Sequence, residues 1–516
     1  MKFKSLLLSV ALMAAPATFA QQISPLTKAV LRGYEEILRE NPQDYSTLYQ
    51  RATQYYNLSM YDNALVDIIK ALDYTPAKEK ELRLDEYSML ADIYIQTKEY
   101  DKAMSAVDNA LALAPQDYAL LYKKGNVALY LNKPEEAYSS FAAMQRLKSR
   151  SQEAFFGMAR ADIMMGKTED ARDLITEAQN ADPTNYLTFC RVGELYEDMN
   201  EDENAAASYL SGFSLADGKS SRPLESLILL ARKNYAAVDT AIKYAISRTD
   251  NTDALYFLQA SIAYNSGNFN QAYEGFKSLL ESKEGQIGSV YSTMAQCCVA
   301  LNKMSDATTY ADLAILKDNS VENQIVKSKV ELAAGNAPAA LLAATKALQV
   351  STTSTAALTQ SALANMALND PKAAIKSLNE AIMTDPTDIY AQMLRAYVNR
   401  EMIKDSKEAV MDYTRIANST EPENFMESTY KALAQALAGK KLDADSTMEK
   451  ALREQNDKTK DDFYYAAIYY AQTGDLDKAK SMIDNALSLG YQNLYNLYTN
   501  TTANLNIAPI RHLLTK

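Results

Sequence analysis

Small apolar residues return along this chain at an almost constant interval. Ala64, Ala103, Ala137, Ala171 and Ala205 are followed by Val238 and then by Ala272, Ala307, Ala340, Ala374, Ala409, Ala444 and Ala479. After a first gap of 39 residues, the gaps run from 33 to 35. Twelve residues before each of these anchors stands a second small residue, in a series that begins Ala52, Ala91, Gly125, Ala159, Gly193. Ala396 alone precedes its anchor, Ala409, by thirteen, which predicts one extra residue in that turn. A third small site follows the anchor by seven, as at Ala71, Ala110 and Ala178. Small side chains at fixed points on two successive helices let their backbones approach closely, and Phe141, Tyr209, Phe276 and Ile483 are the larger residues that fill the space between. A period near 34 marks a repeat architecture that accounts for nearly the whole chain.

The detailed motif resembles a known family. Tyr87-x2-Leu90-Ala91-x2-Tyr94, then Ala103-x3-Val107, then Pro115 follow the pattern of the tetratricopeptide repeat position by position. Phe189-x2-Val192-Gly193-x2-Tyr196 followed by Ala205-x3-Tyr209 does the same. Terminal prolines at Pro76, Pro115, Pro183 and Pro386 stop the second helix because proline cannot continue its hydrogen-bond ladder. The resemblance covers roughly residues 26–490 and implies an all-α, right-handed superhelical solenoid of about thirteen stacked antiparallel helix pairs.

Full repeats start near 45, 84, 118, 152, 186, 219, 253, 288, 321, 355, 389, 425 and 460. The expected organisation is a signal peptide over 1–20, an N-terminal orphan helix or cap over 21–44, and repeats 1–5 over 45–217. Repeats 6–9 then occupy 218–354, repeats 10–13 occupy 355–490, and a C-terminal cap covers 491–516. Repeat 6 is degenerate, with Pro223 opening its first helix and Val238 in place of the alanine. The turn-rich stretch Asp217–Pro223 before it and Gln349–Thr355 are candidate hinges or kinks, with slightly irregular inter-repeat loops the preferred reading of both. Extra residues at 77–83 predict a lengthened helix end.

Lys2 and Lys4, the apolar run from Leu6 to Ala15 and Thr18-Phe19-Ala20 read as a secretory signal cleaved after Ala20. No cysteine precedes Cys190 to carry a bacterial lipid anchor, so a periplasmic, exported chain without a transmembrane segment is expected. The formal charge of −12 becomes more negative when the two signal lysines are removed, which disfavours nucleic acid. Cys190 lies three repeats from Cys297 and Cys298, and repeats that touch only their neighbours cannot join them, so buried free thiols are expected. His512 is the only histidine, and Gly-rich phosphate loops and CxxC pairs are missing. Carboxylate pairs such as Glu135-Glu136 and Asp461-Asp462 fall at helix starts, where they favour the dipole. No enzyme activity, cofactor or metal site is expected.

The resemblance implies that first helices line a concave groove through positions two, five, nine and twelve. Carried onto this chain, the groove set is Tyr49, Tyr56, Asp85, Asp92, Tyr122, Phe156, Arg160, Phe257, Tyr264, Tyr390, Tyr397 and Tyr464, with Met393, Glu153, Glu194 and Glu197 beside them and Lys329 and Arg400 as further cations. The Lys and Asn set with which co-chaperone members clamp a C-terminal carboxylate is not reproduced, since Asn126 has Tyr122 rather than lysine at position five. The acidic N-terminal half of the groove suits a neutral or basic, partly apolar segment. The expected function is a non-enzymatic envelope scaffold binding partner proteins or peptides, with a monomer favoured. A glycan- or small-ligand-binding protein of an uptake system, or a regulatory subunit of an envelope enzyme, is the alternative. Asp239-Thr240-Ala241 and Asp445-Ser446-Thr447 resemble the tripeptide at which exported Bacteroidetes proteins are O-glycosylated.

Overall fold

The computed structural model describes residues 25–248, 253–282, 285–419, 422, 424–454 and 458–493. The signal segment with Ala20, the end of the C-terminal cap and His512 lie outside the described residues. Those described are helical hairpins stacked in chain order, in two compact units divided between Leu224 and Glu225.

The alanine ladder is the contact line of each hairpin. Twelve of the thirteen anchors, Val238 included, have no accessible surface, and Ala409 has 1 %. Side-chain caps start many first helices. Asp44, Asp117, Ser151, Asn185, Ser320, Ser354, Asp388, Asn424 and Thr459 each accept a hydrogen bond from a backbone N–H of the turn that follows. These bonds satisfy donors that the helix leaves orphaned. Ser354 thereby makes the Gln349–Thr355 stretch an ordinary capped loop.

A second ladder sits in the turn between the two helices. Five residues before each anchor the backbone is left-handed, at Ser59, Lys98, Asn132, Gly166, Asn200, Gly267, Asn302, Gly335, Asn369, Lys404, Gly439 and Gly474. One left-handed residue reverses the chain within a short turn, and glycine or asparagine bears it at least cost. Repeat 6 has Lys233 at this position without a positive φ. Its two helices run together as Arg222–Ile246, broken only at Asn234, where φ is −143° and ψ is 80°. The boundary between the units falls in this repeat.

The extra residue before Ala409 has a structural counterpart. The first helix of repeat 11, Ile389–Tyr397, continues as a π-helix over Val398–Ile403. The Asp405 N–H then reaches back to Asn399 O at 2.8 Å. A wider turn absorbs one residue without breaking the ladder. The extra length at 77–83 likewise enters a helix, Lys80–Gln96, of 17 residues where most first helices have 13. Before repeat 1, the orphan helix Pro25–Glu40 docks through Leu38 on Leu48 and Ala71, while Ile37 faces solvent.

In the unit from Glu225 onward, one expectation is corrected. Repeats there do not touch only their neighbours. Lys460 Nζ donates to Asn268 Oδ1 at 3.0 Å, and the Asn270 N–H donates to Gln492 Oε1 at 3.0 Å. Accumulated curvature brings repeat 13 back against repeat 7, which a nearest-neighbour pattern in sequence does not reveal.

Candidate functional site

The first helices of repeats 3, 4 and 5 are Tyr118–Tyr130, Gln152–Met164 and Tyr186–Asp198. The first two stand side by side with Phe141, on the second helix of repeat 3, fully buried between them. A Cβ on Gly125 or Gly157 would lie 2.4–2.8 Å from its ring, so both glycines exist to admit that ring. The spacing leaves a cavity of about 80 Å³ lined by Tyr122, Asn126, Glu153, Phe156, Arg160, Arg191 and Glu194, among others.

Most charges here already have partners. Arg160 pairs with Asp198 at 3.3 Å, and Glu194 accepts from Arg222 at 3.0 Å. Asn126 Nδ2 donates to Tyr122 O at 3.0 Å, and the Tyr118 hydroxyl donates to Glu153 at 3.3 Å. Arg191 differs. Its guanidinium lies 4.2 Å from the centre of the Phe156 ring, and among the described residues no hydrogen-bond or ion-pair partner meets it. Burial pulls its pKa below the ordinary arginine value, opposed by the nearby Tyr122, Glu153 and Glu194. The ring holds the guanidinium plane in place and leaves its N–H fork unengaged. Such a fork matches a carboxylate or carbonyl acceptor.

Of the twelve groove residues expected from sequence, Tyr122, Phe156 and Arg160 are brought together in this cavity. Phe156 is buried beneath Arg191 rather than open to a ligand. Tyr49 and Tyr56 are half-buried beside Asp85 and Asp92 respectively, with Asp85 itself exposed. Asp92 is neutralised by Lys123 at 2.7 Å. In the other unit Phe257 is buried against Phe276, and Tyr264 is half-buried with its ring 5.8 Å from Phe269. Tyr390 stacks on Tyr430, Tyr464 is buried and stacks on Tyr491, and Tyr397 is half-buried. Arg191 was not among the expected residues because it occupies position six of its helix. Lys123, at the same position of repeat 3, shows how that position works. It leans back to the preceding repeat and meets Ser88 Oγ as well as Asp92, both at 2.7 Å. At both proposed glycosylation tripeptides, Thr240 and Ser446 are exposed on helices.

Arrays of helical hairpins with a concave polar cavity form a recognised class of repeat protein. Residues 87–117 and 355–388 match the family model of the tetratricopeptide repeat, which with the curated relatives supports that family. The chain is 25 % identical over 290 residues to "TPR repeat-containing protein MJ1428" of Methanocaldococcus jannaschii, a match covering 52 % of this chain and 45 % of that protein. It is 25 % identical over 225 residues to anaphase-promoting complex subunit 7 of Arabidopsis thaliana, covering 43 % and 38 % respectively. The chain thus spans less than half the length of these curated relatives. Among solved structures, YrrB, described as a TPR protein with an unusual peptide-binding site, aligns at 18 % identity with a TM-score of 0.30, over 38 % of this chain and 98 % of that one.

Proposed function

We propose that this chain is a non-enzymatic scaffold of the cell envelope whose concave face over repeats 3–5 binds a segment of a partner protein. The observation that carries the reading is Arg191, half-buried, stacked on Phe156 and without an acceptor in a cavity walled by Tyr122, Asn126 and Leu195. Leaving a buried donor unmatched costs free energy, which an incoming acceptor recovers. Tyr122, 37 % exposed, offers an apolar face with a polar tip beside it. Tetratricopeptide-repeat proteins generally mediate protein–protein interactions, which agrees with this chemistry. Export rests on the first twenty residues, and no helix among the described residues is long and apolar enough to cross a membrane.

The test is affinity capture after crosslinking in the native envelope, comparing the parent chain with Arg191→Ala and Tyr122→Ala. A protein recovered with the parent and depleted at least tenfold with both variants supports the proposal. Equal recovery with all three, or recovery of no protein, removes it.

A further inference from the structure

Position six of the first helix holds a cation in two repeats, Lys123 in repeat 3 and Arg191 in repeat 5. Each leans toward the first helix of the repeat before it. Lys123 Nζ meets Ser88 Oγ and Asp92 Oδ2, both at 2.7 Å, from positions five and nine of repeat 2. In repeat 4 the same two positions hold Phe156 and Arg160. A ring has replaced the hydroxyl, and a second guanidinium has replaced the carboxylate. Arg191 accordingly lies 4.2 Å from the centre of the Phe156 ring, and Arg160, at the acceptor's position, turns to Asp198 at 3.3 Å. Burial lowers the Arg191 pKa most, and the like charge of Arg160 adds to it. Arg191 itself lies off the family's groove positions, so this pairing is a feature of the present chain.

Both guanidiniums line the cavity of about 80 Å³. What its wall lacks is what Asp92 supplies to Lys123, a carboxylate. The acidic residues nearby do not fill that role, because they are already engaged. Glu194 accepts from Arg222 at 3.0 Å, and Glu153 accepts from the hydroxyls of Tyr118 at 3.3 Å and Ser151 at 3.4 Å. Asp198 balances Arg160, which leaves the Arg191 fork unmatched among the described residues. With Glu153 and Glu194 on the wall, a second negative charge on the occupant would be repelled, so a monoanion fits better than a phosphate dianion. A guanidinium fork takes a carboxylate through two parallel hydrogen bonds, and a half-buried setting strengthens the pair over one in water. Leu129 and Leu195 complete the wall, which suits the short aliphatic stem of such a group.

We propose that the cavity takes one carboxylate of the partner segment, from an Asp or Glu side chain or a C-terminus, held by Arg191 with Arg160 beside it as Asp92 is held by Lys123. This ligand chemistry rests on the function proposed above, and the test separates the two. Random peptides displayed with free C-termini would be selected on the full chain, and the selected sequences remade as synthetic peptides. Exchange of Asp or Glu for Asn or Gln identifies a side-chain carboxylate, and C-terminal amidation identifies a terminal one. One of these changes should weaken binding to the parent about tenfold or more, the worth of one charge-assisted contact, and alter binding to Arg191→Gln by less than about twofold. Arg160→Asp, which sets the chain's own carboxylate where Asp92 stands in repeat 2, should abolish binding of the same peptides with helicity unchanged. Peptides that require Arg191 yet bind equally well without any carboxylate, or that bind Arg160→Asp undiminished, would overturn the carboxylate assignment and leave the peptide reading standing. Selection of no peptide, or of peptides that bind Arg191→Gln as well as the parent, would remove both.

Discussion

Gly157→Ala tests the packing that creates the cavity. An added methyl would sit 2.4–2.5 Å from Phe141 Cγ, Cδ1 and Cε1, roughly 1 Å inside ordinary carbon contact. The ring cannot withdraw, since it is fully buried and already occupies the space above Gly125. Overpacking of this kind costs about 1–3 kcal/mol, against which alanine regains about 1 kcal/mol of helix propensity over glycine. With three ring atoms overlapped, the cost lies at the upper end, and a net loss of about 2 kcal/mol is expected. Phe141→Leu alone should cost about 1–2 kcal/mol through lost contacts. Combined with Gly157→Ala it should cost much less, because the methyl enters vacated space, giving a coupling of about 1 kcal/mol or more. Because repeat arrays need not unfold as one body, urea unfolding should be paired with hydrogen exchange of the Gln152–Met164 amides. Gly33→Ala, with nothing within 4 Å of its Cβ, serves as the control and should stabilise its helix by up to about 1 kcal/mol. If Gly157→Ala also stabilises, or the double variant is additive, the sandwiched-ring account is wrong.

Lys98, held at φ 61°, should gain about 0.5 kcal/mol on replacement by glycine, the relief of left-handed strain exceeding the added chain entropy; a change at Gly439, already glycine at φ 82°, to lysine should lose at least as much in the same urea titration. Burial raises the Glu86 pKa above the ordinary carboxylate value, with Thr75 and Arg83 opposing. The Thr75 hydroxyl has one hydrogen for two acceptors, Ala71 O at 2.8 Å and Glu86 Oε1 at 2.6 Å, so a neutral Glu86 donating to Thr75 completes the bonding. The stabilisation from its protonation is full below the unfolded value near ~4.3 and is lost as pH rises through the folded value. Glu86→Gln should therefore exceed the parent in stability at neutral pH and match it most closely in acid, and a difference that grows as pH falls would refute this. Burial pushes the Cys190 thiol up to about 11 and Cys298 to about 12, with Cys297 higher still, so none should react with a thiol reagent at pH 8 until the chain unfolds.

Much of the fold is legible in the sequence because close packing repeats. Ala64 through Ala479 occupy one geometric position, and the thirteen-residue spacing at Ala396–Ala409 becomes the π-helix at Val398–Ile403. The left-handed turn ladder was less visible, since Ser59, Asn132, Lys404 and Gly474 share a backbone conformation but no side-chain chemistry. The contact between repeats 7 and 13 was invisible, because Lys460 and Asn268 look like any lysine and asparagine until curvature brings them together. The cavity was half legible: Tyr122 and Arg160 follow from repeat position. Arg191 emerges only when Phe156 of the preceding repeat is seen beneath it.

Site-specific photo-crosslinking in the native envelope tests the central claim most directly. A photoreactive residue replacing Asn126, at the cavity mouth, should capture a protein that the same residue at exposed Asn109 on the second helix of repeat 2 does not, and Arg191→Ala should abolish that capture. Equal capture from both positions, or capture at Asn126 that survives Arg191→Ala, would contradict binding at this cavity.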